Sequence, residues 1–165
     1  MNQPNLLGAL LDSWDRNNTI LLNLLSAVPE FALEARAAVD SPSIAEMFIH
    51  IHYVRMVFVS EDVPEFASEI LYKEWMKERD PRRIAHLLIQ SAQSVRDAVR
   101  HAVQTPVPMA RHYDHPVLFL QHMIWHEGYH HGQIKLALKL TGHPMPDDQA
   151  APLTWGVWMR KTANP

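Results

Sequence analysis

The chain has 165 residues, 47% of them apolar, a formal net charge of -3 and no cysteine. That length and apolar fraction, without repeats or low-complexity tracts, imply one globular domain over 1–165 with ample core. The near-neutral charge and the lack of a Lys/Arg cluster exclude a nucleic-acid footprint and a polybasic membrane patch.

Without cysteine, a metal can be offered only histidine and carboxylate ligands, the chain has no thiol nucleophile of its own, and a cytoplasmic setting is expected. The first apolar run, Leu6 to Leu11, is followed by Asp12, Asp15 and Arg16 and has no basic stretch before it, so it reads as neither signal peptide nor membrane span.

From Asn5 to Val28, Leu7, Trp14, Leu21 and Val28 recur every seven residues with Leu10, Leu11, Leu24 and Leu25 between them, the stripe of a long bundle helix ended by Pro29. Asn17 and Asn18 interrupt that stripe. A second helix is expected from about Ser41-Pro42 to Glu61, with Pro42 in its first turn and Ser43 and Glu46 as a capping box. It carries His50 and His52, which lie about 200° apart and so cannot share a face. His50, grouped with Met47, Val54 and Val57, is the interior candidate; Phe48 and Val59 beside His52 suggest an outer face that is not simply solvated.

Val63-Pro64 opens a charged segment through Tyr72, Trp75 and Met76 to Arg79, expected as a short helix across the bundle with a solvated charged face. Asp80-Pro81 then caps a third long helix, with Ile84, Ser91 and Ala98, and Leu88, Val95 and Ala102, at seven-residue steps; His86 and His101 read as incidental. Thr105-Pro-Val-Pro is a loop. A fourth helix is expected from Pro116 to Thr141, stopped by Gly142 and Pro144, and Trp155 and Trp158 in the tail suggest one apolar face of a terminal helix, as core or lid.

The fourth helix carries His126 and His130 one turn apart on the same face, a spacing that lets two imidazoles on a rigid backbone reach one cation. Zinc peptidases also set two histidines four residues apart, but the peptidase reading is expected to fail here, because Tyr129 stands between Gly128 and His130 and takes the stretch out of their register, and Glu127 lies about 100° off the His126 face. Phe119, His122, Gln133, Ala137 and Leu140 share the face of the two imidazoles, which therefore point into a core, where a buried imidazole needs a partner. Gly128 and Gly132 fall on roughly the opposite face and cost the helix about 1 kcal/mol each relative to alanine, which suggests a close approach there. Periodicity places no carboxylate beside the imidazoles; Glu46 and Glu61 are the nearest on the second helix.

Four long helical patterns with few strand signals indicate an all-α fold, a four-helix bundle with short additional helices, whose core can gather ligands from facing helices. Ser43-Ile-Ala-Glu-Met-Phe-Ile-His50-Ile, followed far downstream by His122-Met-Ile-Trp-His126-Glu-Gly-Tyr-His130-His-Gly132-Gln133-Ile, resembles the DinB/YfiT-like superfamily of four-helix-bundle metalloproteins, over nearly the whole chain. The family pattern is one His on helix two and a His-Glu-x-x-His-x-Gly-Gln stretch on the last long helix. Members often have His where Tyr129 stands and Arg where His131 stands, departures that bear on the pocket lining.

The resemblance implies His50, His126 and His130 as the ligands of one divalent ion. Three neutral imidazoles would leave positions open for water or substrate, and they suit zinc or nickel, with iron a further candidate. Gln133 and His122 are candidates for hydrogen bonds that orient the ligands or a bound water. Characterised relatives include transferases and isomerases that use low-molecular-weight thiols, so the function implied is a metal-dependent thiol S-transferase acting on small electrophiles in detoxification or stress. The cosubstrate thiolate would then be the nucleophile. The alternatives are a metal-dependent hydrolase and a non-catalytic, metal-stabilised stress protein. The expected partners are a small-molecule substrate and thiol, with no nucleic acid and no membrane. A homodimer through the glycine pair and the outer face of helix two is a further expectation, though packing within the chain would explain both features equally.

Overall fold

The computed structural model describes residues 5–68, 73–105 and 108–159. Four long helices, α1 (Leu6–Ala27), α2 (Ile44–Asp62), α3 (Pro81–Gln104) and α4 (Pro116–Leu140), form an all-α four-helix bundle, followed by short α5 (Asp147–Leu153) and α6 (Trp155–Trp158). Among the described residues there is no β-strand, only an isolated bridge between Arg36 and Ser43, and no helix is long and apolar enough to cross a membrane.

Local chemistry sets the helix ends. Asn5 accepts from the Gly8 amide at the start of α1, and Ser43 and Glu46 close a reciprocal capping box at α2. Asp80 accepts from the Arg82 amide ahead of Pro81. α4 ends with Gly142 at φ 84°, the His143 amide donating to Leu138 at 2.8 Å and the Gly142 amide to Lys139 at 3.3 Å. That is a Schellman ending, and its left-handed residue is the reason for glycine there.

The core divides into two apolar clusters. One joins Leu21 to Val28 of α1, Ile44 to Ile51 of α2, Ile84 to Leu88 of α3 and Ile134 to Leu138 of α4. The other joins Leu11 and Trp14, Val59 and Val63, Val95 to Val99, and Phe119 to Met123. The order in which each helix visits the clusters shows that α2 and α3 run parallel, with α1 and α4 opposite to both. Parallel neighbours cannot be joined by a tight turn, which accounts for the long connection from 63 to 80.

A polar layer crosses the bundle between the clusters, with one residue from each long helix: Asn17, Arg55, Ser91 and Glu127, all buried. Arg55 donates to Glu127 through Nε (2.6 Å) and Nη2 (2.9 Å), and through Nη1 to Leu88 O, Asn18 and Ser91. Its guanidinium lies over the Trp14 ring at 4.8 Å, and Asn17 donates to the second carboxylate oxygen of Glu127. Each charge is thus paired and hydrogen-bonded, the condition under which a buried ion pair is tolerated.

Several expectations are corrected. Pro42 precedes α2 rather than opening it, because Ser43 is the cap. α2 has no outer face in its first half: every residue from Ile44 to His52 is buried, His52 included, since the 28–43 connection and α3 cover what α4 does not. Among its described residues the 63–79 segment has a 3-10 turn at Pro64–Phe66 and no α-helix, and Tyr72 lies outside the described residues. Its charges are engaged rather than merely solvated: Arg79 pairs with Glu34 and approaches Glu46, and Glu78 accepts from the Arg79 and Asp80 amides. Pro106 and Val107 of the expected loop also lie outside the described residues. Trp155 and Trp158 are exposed, and Val157 is the residue of α6 that packs inward.

Candidate metal centre

Because α2 and α4 run antiparallel, the turn that carries His50 faces the turn that carries His126 and His130. The Nε2 atoms of His50 and His126 lie 3.2 Å apart and those of His126 and His130 3.1 Å apart, and one ring nitrogen of each lies within 4.8 Å of the others. His50 and His130 are buried, His126 half-buried.

The hydrogen-bond inventory of the three rings decides what they can hold. His130 Nδ1–H donates to Gln133 Oε1 at 2.8 Å, which leaves its Nε2 as a lone pair. His50 Nδ1 lies 3.0 Å from Glu74 Oε1, out of line for a hydrogen bond but beside a carboxylate that favours a proton on that nitrogen. Its Nε2 is then also a lone pair. His126 can direct one Nε2–H at only one of its two neighbours, so the three rings cannot satisfy each other. A cation among them satisfies all three. Ligands at about 2.1 Å from one ion are about 3.0 Å apart at right angles and about 3.4 Å apart in a tetrahedron, and the two observed spacings fall in that interval.

Burial keeps these imidazoles in the neutral, ligating form. Desolvation, then the neighbouring His130, pushes His50 down to about 4. Desolvation with His130, His50, His122 and Arg55 pushes His126 down to about 3. His130 is lowered by desolvation, with the Gln133 hydrogen bond opposing it.

Two features of the site come from residues that periodicity did not single out. Trp75 stacks on the His50 ring with centroids 4.2 Å apart and planes 4° apart, and Glu74 stands beside the same ring. Both belong to irregular chain, where no helical period points at a target. The two nearest carboxylates of α2 are engaged elsewhere: Glu46 caps α2 and pairs with Arg36, and Glu61 bonds Arg111 and His112.

Glu127 sits next to His126 in sequence, and His126-Glu127-Gly128-Tyr129-His130 does have the zinc-peptidase spacing. What removes Glu127 from the imidazoles is the bidentate Arg55 pair on the other side of the helix. Burial pushes its carboxyl up, while Arg55 and Asn17 pull against that shift.

His122 places its Nδ1 2.7 Å from Tyr113 Oη and lies edge-on to His126 at 6.4 Å between centroids, so its hydrogen bond is spent away from the ligands. His52 donates through Nδ1 to Leu87 O at 2.8 Å and is held down to about 4, chiefly by desolvation; it belongs to the α2–α3 contact. Leu140, expected on the imidazole face, is exposed. Nothing lies within 4 Å of where a Cβ would stand on Gly128 or Gly132, so no described residue makes the expected close approach.

One turn from His50 and from His130, between α2 and α4, a cavity of about 120 Å³ is lined by Met47, Gln133 and Leu136 with Ala37, Ser41 and Pro42. Larger hollows, of about 510 Å³ beside Phe31 and Arg79 and about 260 Å³ beside His143 and Met145, lie away from the imidazoles.

A family model described as DinB family matches residues 1–156. No curated protein and no solved structure matches the chain.

Proposed function

We propose, from the premise that the chain belongs to the DinB family, that His50, His126 and His130 bind one divalent ion, zinc or nickel in preference to iron, and that the protein is a metal-dependent transferase joining a low-molecular-weight thiol to small electrophiles. The observation that carries the reading is the convergence of three Nε2 atoms that cannot all satisfy one another by hydrogen bonds. Three protein ligands match a site that keeps positions for exogenous molecules. An ion bound there would supply Lewis acidity, lowering the pKa of a thiol or a water and polarising an electrophile.

The chain's own residues set the conditions for that chemistry. Gln133 holds the His130 tautomer through Nδ1, and Glu74 flanks Nδ1 of His50. Trp75 covers one face of the His50 ring and sheds water from it. The apolar cavity at Met47 and Leu136, lined also by Gln133, has room for a small hydrophobic substituent of the substrate, and Met47 and Gln133 stand about one helical turn along the chain from His50 and His130. A purely structural ion is the weaker reading, since Arg55 and Glu127 already tie α2 to α4 without one.

The test begins with metal content by mass spectrometry on protein purified without an affinity tag, beside a His126→Ala/His130→Ala variant. About one ion per chain in the wild type and none in the variant is expected, with the bundle intact by circular dichroism. Loss of product formation from an electrophile such as a chloronitrobenzene when the thiol is omitted supports transfer. Turnover without thiol assigns a hydrolase instead, and absence of metal after reconstitution with zinc and nickel rejects the site.

A further inference from the structure

We propose that Tyr113 positions His122 to donate a hydrogen bond to the reacting oxygen of the electrophile, which assigns the substrate to electrophiles that develop negative charge on oxygen, as an epoxide does. The substrate class rests on the thiol-transfer reading, and the donor does not. Tyr113 Oη lies 2.7 Å from His122 Nδ1. Among the described residues the hydroxyl has no other acceptor, so its proton is given to Nδ1 and the ring proton stands on Nε2. No described residue takes that Nε2–H, and the ring is half-buried rather than sealed.

Residues far from α4 hold the phenol in place. Asp62, the last residue of α2, accepts from the Arg111 and His112 amides at 2.9 and 2.7 Å, and its carbonyl accepts from the Ala110 amide at 3.2 Å. His112 adds a 2.6 Å contact to Glu61. These bonds fasten 110–112 to the end of α2 and bring Tyr113 against α4. Phe58 packs edge-on against both partners, with ring centroids 5.8 Å from Tyr113 and 5.4 Å from His122, which fixes the ring planes. Burial, followed by the Asp62 charge, pushes the Tyr113 phenol above its ordinary value, so it remains a protonated donor.

The donor stands at one end of the imidazole cluster. Because α2 and α4 are antiparallel, Phe58, about two turns beyond His50, and His122, about one turn before His126, lie on the same side of it. His122 is edge-on to His126 at 6.4 Å between centroids. The apolar cavity at Met47 and Gln133 lies on the opposite side. An electrophile with its apolar group in that cavity and its oxygen toward His122 therefore spans the three imidazoles. In the step itself the thiolate sulfur bonds to an epoxide carbon and the C–O bond breaks, leaving its electron pair on oxygen. The Nε2–H stabilises that alkoxide, which then takes a proton from water, matching the one the thiol gave up.

Long-range nitrogen–proton correlation spectra of the metal-free protein test the donor, recorded above about pH 8, where an ordinary imidazole is neutral. His122 is expected with its proton on Nε2 alone in the wild type, and as a mixture of tautomers in Tyr113→Phe with far-UV circular dichroism unchanged. A proton on Nδ1 in the wild type, or a tautomer indifferent to Tyr113→Phe, overturns the proposal. On zinc-loaded protein with glutathione as the thiol, kcat/KM is compared for styrene oxide and for iodobutane, whose leaving atom is iodide. The ratio of the two is expected to fall about tenfold in Tyr113→Phe and roughly 100-fold in His122→Phe, which keeps a ring against Phe58 but removes the donor. Equal losses with both electrophiles overturn the substrate class. No turnover of either by the wild type rejects the transferase reading and the substrate class with it, while the metal-free spectra still decide the donor.

Discussion

Replacing Glu127 by Gln tests the polar layer on which the α2–α4 geometry depends. The substitution keeps the side-chain shape but removes the negative charge from a guanidinium that is fully buried. Arg55 would then keep one amide oxygen of the substituted side chain, the Leu88 carbonyl at 2.9 Å, Asn18 at 3.1 Å and Ser91 at 3.3 Å, all neutral, and its second donor would meet an amide NH2 in place of a carboxylate oxygen. Breaking a buried pair in this way costs about 3–5 kcal/mol because the remaining charge stays desolvated, a large share of a total of about 5–15 kcal/mol. For a chain of this length the loss corresponds to a fall of roughly 6–20 °C in Tm. Urea denaturation followed by circular dichroism on metal-free protein should show a lower midpoint at unchanged slope. Removing both charges, with Arg55→Met and Glu127→Leu, should recover most of the loss, because an apolar pair of similar volume carries no desolvation penalty. A cost below about 1 kcal/mol for Glu127→Gln would mean that water reaches the pair, and the description of a dry layer would be wrong.

Further outcomes follow from the same contacts. Gln133→Ala frees the His130 tautomer and should weaken metal binding about 10- to 100-fold, measured by competition with a chromogenic chelator, with the fold retained; unchanged affinity would remove Gln133 from the site. Metal-free protein should lose stability as the pH falls below about 6.5. In that range the unfolded imidazoles bind protons, while folded His50 and His52 wait until about pH 4 and His126 until about pH 3; stability is full above the window and lost across it, by at most about 3–5 kcal/mol per imidazole. A flat denaturation midpoint from pH 7 to about 4.5 would contradict those shifts. Nickel should quench tryptophan fluorescence through the ring stacked on His50, and Trp75→Phe should abolish most of that response, whereas an equal response in the variant would place the ion elsewhere. Ser43→Ala should cost about 1 kcal/mol by removing one half of the α2 capping box, read from the same denaturation curves.

Much of this was legible in residue order because helix periods and helix ends are local. The α1 stripe, the Ser43–Glu46 box, Asp80-Pro81 and the Gly142 stop each depend on neighbours within a turn or two, and each stands where the pattern put it. Periodicity also set His126 and His130 on one face and preferred His50 to His52 on α2. It misjudged what surrounds a face. Phe48 and Val59 mark the His52 side of α2 as not simply solvated, but the period does not show that the connection from 28 to 43 and α3 enclose the whole first half of the helix. The glycines suggested a close neighbour, yet their face is open within the chain. A wheel diagram gives the angle of a side chain but not how many elements cover that angle.

By itself the sequence determined the all-α class, the four long helices, the shared face of His126 and His130 and the choice of His50 as the interior histidine of α2, since apolar period, capping chemistry and i, i+4 spacing act over distances shorter than a helix. Only the tertiary structure decided which way each helix runs, that Glu127 turns to Arg55, 72 residues away, and that Glu74 and Trp75 stand beside His50. Those pairings join residues whose separation along the chain carries no period, and they exist because desolvated charges and open ring faces take whichever partner the folded helices bring within reach.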